Sequence, residues 1–71
     1  MSQIKLYDTV ALLKSLPEYN LQKGQVGTVV MVHDTTHFEV EFINASAQTL
    51  ALCTLAASDL LLLKYEAAVH D

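Results

Sequence analysis

Apolar and polar residues alternate along this chain in short stretches separated by turn-forming residues, the period of β-strands. The clearest alternation is HFEVEFI over residues 37 to 43, with Phe38, Val40 and Phe42 opposed to Glu39 and Glu41. Upstream, a strand from about Val26 to His33 sets Thr28, Val30 and Val32 against Val29 and Met31. Both of its faces are largely apolar, which argues for a strand bent around a barrel or covered on its outer side. Residues 5 to 14 read as the first strand, with Val10 and Leu12 opposed to Thr9, Ala11 and Leu13. Residues 48 to 55 read as the fourth, with Leu50, Leu52 and Thr54 opposed to Thr49, Ala51, Cys53 and Leu55. Leu60 to Lys64 make a fifth, although periodicity alone also admits a C-terminal helix over residues 58 to 69.

The connections carry the punctuation that strands require. Ser15 to Gly24 form a loop longer than an ordinary hairpin connection. Pro17 lacks an N–H for a ladder and biases Leu16 toward extended backbone. Leu16, Tyr19 and Leu21 predict that the loop folds back over the core. Gly24 reads as a turn residue with positive φ, and Gly27 as a bend or a close crossing of chain segments. Asp34 to Thr36 and Asn44 to Ala47 are turns by composition, and Ala56 to Asp59 suit one 3₁₀ turn. The expected fold is all-β, a small five-stranded SH3-like barrel with a long first loop and a 3₁₀ turn before the last strand. Closing such a sheet protects its edges. One domain over residues 1–71 is expected, with an ordered core of about 4–64 and a fraying tail at 65–71.

Composition narrows the function. Net charge is −4, with four lysines and no arginine. Phosphate contacts need Lys and Arg, and arginine reads guanine bidentately, so nucleic acid is a poor partner for this chain. Apolar residues make up 52% of a 71-residue chain, and the mean hydropathy is +0.32. A domain this small has much surface for its volume, so part of that apolar area is expected to meet a protein partner or a second copy. Residues 1 to 9 lack the apolar region of a signal peptide, and no apolar run reaches membrane-spanning length. A cytoplasmic protein with a reduced thiol is expected.

Individual residues carry little chemistry. His33, Asp34 and His37 flank a hairpin turn but lack the helical ligand spacing of a metal motif. Cys53 reads as a small hydrophobe on a buried strand, with no nearby base to activate it. Glu39 and Glu41 share one strand face; such a pair solvates the surface or offers an acidic patch to a basic partner. KGQVG lacks the arrangement of a phosphate loop. Four consecutive leucines cannot all enter a one-sided core. Leu61, Leu63 and Tyr65, with Tyr19, Glu39 and Glu41, are therefore the expected partner surface, and Pro17, Gly24 and Gly27 are structural. No catalytic residue, cofactor, metal or small-molecule substrate is expected.

LYDTVALL, LPEYNLQKGQVGTVV, FEVEF and ALCTLAASDLLLL resemble a family of small bacterial proteins known as domain of unknown function 4926. The likeness covers roughly residues 4 to 63. It implies a compact all-β domain with no catalytic residues to carry over, and a toxin–antitoxin or immunity setting. Relatives often have an acidic, glycine-containing turn where this chain has Asn44-Ala45-Ser46-Ala47. KGQVGTVVMV also resembles the loop and strand of KOW-type domains, which implies nucleic-acid binding as the alternative. KOW-type binders surround that motif with basic residues, whereas here Lys23 stands nearly alone.

Overall fold

A computed structural model describes residues 4–63. Five strands form one antiparallel sheet: β1 (Thr9–Leu12), β2 (Val26–Val32), β3 (His37–Ile43), β4 (Thr49–Ala56) and β5 (Leu60–Leu63). Their spatial order is β4-β3-β2-β1-β5. Short 3₁₀ turns at Pro17–Tyr19 and Ala57–Asp59 are the helical elements among the described residues. No ladder joins β4 to β5. Among the described residues the sheet is not closed by hydrogen bonds, and these two strands are its edges.

One face of the sheet holds the core. Val10 and Leu12 from β1, Val29 from β2, Phe38, Val40 and Phe42 from β3, Cys53 and Leu55 from β4, and Leu60 from β5 are buried together. This follows the period-two alternation on β1, β3, β4 and β5. On β5, Leu60 and Leu62 pair with Leu12 and Val10 and pack on the core side, while Leu61 and Leu63 point outward. Residues 58–63 therefore form a 3₁₀ turn and a strand, not the start of a helix; Lys64 and the tail lie outside the described residues.

β2 departs from simple alternation. Its pairing with β3 shifts between Val29 and Met31. A bulge there inserts one extra residue. Val30 is half-buried, and Met31 and Val32 both reach solvent. The outer side of this strand is thus open, not covered. β1 is also shorter than the expected 5–14. Lys5 to Asp8 instead close a turn, in which the Asp8 N–H donates to the Lys5 carbonyl at 3.0 Å. The Lys5 N–H donates to Asp8 Oδ2 at 2.8 Å. Tyr7 takes φ +70 within that turn.

The long loop is folded. Leu16 and Leu21 exchange backbone hydrogen bonds at 2.9 and 3.1 Å, and both side chains are buried. Pro17 opens the 3₁₀ turn, where its fixed φ suits the first position and its missing N–H costs nothing. Tyr19, expected to anchor the loop, instead lies 45% exposed. Gly24, at φ +91, occupies the third position of a turn closed by Gln25 N–H to the Gln22 carbonyl at 3.0 Å. Leu12 ties the loop to β1: its N–H donates to Gln25 at 2.9 Å, and its carbonyl accepts from Gly24 at 2.8 Å.

Candidate protein-binding face

The core side of the sheet is filled, so chemistry available to a partner lies on the outer side. Cross-strand register places its residues in rows. One row runs Leu61, Ala11 and Val26 across β5, β1 and β2. The next runs Leu63, Thr9, Thr28, Glu41 and Leu52 across all five strands. Leu61, Val26, Ile43, Leu50 and Leu52 are each about half exposed. The outer face is thus an apolar surface with two carboxylates set into it from β3.

Those carboxylates are fixed from neighbouring strands. Thr49 Oγ1 donates to Glu41 Oε2 at 2.7 Å. Glu39 Oε1 lies 2.9 Å from His33 Nε2, and Thr54 Oγ1 donates to it at 3.4 Å. Held charged acceptors of this kind make stronger hydrogen bonds than neutral ones and lose less freedom when a partner arrives.

Leu61, Leu63, Glu39 and Glu41 share this face, although three strand spacings, roughly 14 Å, separate β5 from β3. Tyr19 sits on the loop and belongs to neither row. Tyr65 lies outside the described residues. Val26, Ile43, Leu50 and Leu52 are the members that sequence reasoning missed. For Leu50 and Leu52 the signal was the uncharged run between Glu41 and Asp59, which leaves both faces of β4 apolar and hides which one is covered.

The β2–β3 hairpin end is polar and internally satisfied. Asp34 Oδ1 accepts from the Thr36 and His37 N–H groups at 2.8 Å each and from Thr36 Oγ1 at 3.0 Å. The Thr36 backbone and hydroxyl hydrogen bonds, with His37, hold its carboxyl down from 3.8 to about 2. A group whose folded pKa is depressed stabilises the fold above its unfolded pKa and ceases to as pH falls through the folded one. Stability is therefore expected to drop between pH 3.8 and about 2, and Asp34→Asn should flatten that drop; thermal melts across an acid pH series check it. Among the described residues, no group of three or more His, Cys, Asp and Glu side chains is arranged to hold a metal. Cys53 is buried, and burial pushes its thiol up, with Glu18 and Glu39 adding to the effect. A raised thiol is a poor nucleophile.

The fold and face together define a class, a small antiparallel β-domain with an apolar outer face. The chain belongs to the family described as domain of unknown function (DUF4926), whose model matches residues 6–62. No curated protein and no solved structure matched it.

Proposed function

We propose that this domain is a non-catalytic protein-binding module, an open variant of the SH3-like barrel that engages its partner through the outer sheet face. The observation that carries this reading is the pair Leu61 and Val26, half-exposed on either side of buried Ala11 in one cross-strand row, together with half-exposed Ile43, Leu50 and Leu52. Several large apolar side chains exposed on so small a domain mark contact surfaces. The strand order, the folded first loop and the 3₁₀ turn before β5 support the SH3-like assignment. Glu39 and Glu41, set within that face, favour a basic partner surface. An antitoxin or immunity role in a bacterial pair fits such a module, which would act by covering its cognate protein in the cytoplasm.

The test is co-purification with the product of the adjacent gene. Leu61→Asp, at an exposed position, should leave the fold intact and weaken capture by roughly tenfold or more. Undiminished capture by the folded variant would refute the assignment of this face. The KOW-like alternative draws on KGQVGTVV alone, and both glycines of that stretch have a structural use: Gly24 in its turn and Gly27 against the core.

A further inference from the structure

We infer that the free edge of β4 is a self-association site, at which a second copy of this chain adds its own β4 antiparallel to the first. Among the described residues β4 is the longer of the two edges, eight residues against four for β5. An unpaired edge is a template for another strand unless charge, proline or a bulge blunts it. β4 contains no charged residue and no proline or glycine. Its register shift falls opposite Phe42 and Ile43, at its start. From Ala51 to Ala56 its pairing with β3 is unbroken.

Backbone directions identify the groups on offer. The Ala57 N–H donates back to the Thr36 carbonyl at 2.7 Å. Hydrogen-bonding direction alternates along an antiparallel strand. Ala51, Cys53 and Leu55 therefore bond to β3, and the N–H and C=O groups of Leu52, Thr54 and Ala56 face away from the sheet. A two-fold axis perpendicular to the sheet would bring those of one copy to those of the other, the self-complementary form of a closed dimer.

Charge favours a second copy as the occupant. Each chain carries −4, and most surfaces would bring carboxylates together. The edge of β4 does not, because no charged residue lies between Glu41 and Asp59. Across the joined edges, Glu39 and Glu41 of each copy would stand three strand spacings apart, roughly 14 Å. That exceeds the screening length of about 8 Å at physiological ionic strength. Pairing also joins the two outer faces, so that Leu50 and Leu52 of both copies become one apolar surface. The inference uses the backbone groups of the edge; Leu52 also belongs to the face proposed for the partner, and the amide readout and Leu61→Lys separate the two.

Sedimentation equilibrium from roughly micromolar to millimolar protein tests it, with amide exchange at both ends of that range. The mass should rise from one chain to two, and the Leu52, Thr54 and Ala56 amides should gain protection with concentration, while Ala51, Cys53 and Leu55 are protected throughout. Leu52→Lys, which places a charge at a half-exposed edge position, should abolish the dimer, and Leu61→Lys on β5 should not. A monomer at every concentration overturns the inference, as does a dimer unaffected by Leu52→Lys. If Leu52→Lys fails to fold, the wild-type amides decide: protection independent of concentration at Leu52, Thr54 and Ala56 overturns it.

Discussion

Replacing Phe42 by alanine is expected to remove about 3–5 kcal/mol of stability, the usual cost of emptying a fully buried aromatic site. Phe42 has no exposed surface. It lies on β3, the strand with ladders to both β2 and β4, directly across from Ala51, and its ring edge reaches the backbone of Gly27 on β2. Those two neighbours are among the smallest residues available, so neither can expand into the vacated volume. The cavity term should therefore be retained in full. At roughly 0.05–0.15 kcal/mol per residue, a chain of this length has a total stability of about 4–10 kcal/mol. The variant is expected to melt roughly 15–30 °C lower or to be unfolded at room temperature. Circular dichroism melts and urea titration measure this. A loss below about 1 kcal/mol would show that the site collapses, contrary to the packing described.

The same packing explains which parts of the fold were legible in the sequence. Period-two alternation identified β3 and its inward residues, because only one of its faces is apolar. β5 was legible for a related reason: four leucines on a strand must divide between two faces, and Leu61 and Leu63 are the outward pair. β2 and β4 were harder. Both sides of each are apolar, and which side is covered depends on pairing partners distant in sequence. The bulge that sets Met31 beside Glu39 on the outer side has the same origin, since a register shift is a property of two strands. Closure was not legible either, because alternation describes each strand alone and says nothing of whether β4 meets β5.

Turns show a finer limit. Gly24 was readable as a positive-φ residue because glycine pays no penalty there. Tyr7 and Ala47 also take positive φ, near +70 and +61, and neither residue type signals it. At Ala47 the turn is held by Asn44, whose Oδ1 accepts from the Ser46 and Gln48 N–H groups at 2.9 and 3.0 Å. That side chain supplies what a glycine would otherwise allow. The polar members of the candidate face were legible as a pair on one strand face, but not as half-buried and fixed ones. Thr49 and His33, which hold Glu41 and Glu39, come from the strand and turn on either side of β3.

Gly27→Ala should destabilise the domain by about 1–3 kcal/mol, although it adds only one methyl group. A Cβ built at Gly27 lies 2.8 Å from Phe42 Cδ1, Phe42 Cε1 and Val40 Cγ1, closer than carbon atoms tolerate. Gly27 is paired with Val10 on β1, so β2 cannot retreat without straining that ladder. The cause is steric and not conformational, which a double-mutant cycle can separate. In a Phe42→Leu background the ring is gone and part of the space beside Gly27 opens. The cost of Gly27→Ala should then fall by roughly 1 kcal/mol or more, a coupling typical of residues in contact. Were Gly27 needed for backbone freedom alone, the cost would be the same in both backgrounds. Urea unfolding of the four proteins, with a common slope, measures the coupling. An additive result would remove close packing as the reason that glycine occupies this position, and would reopen the KGQVG stretch to a functional reading.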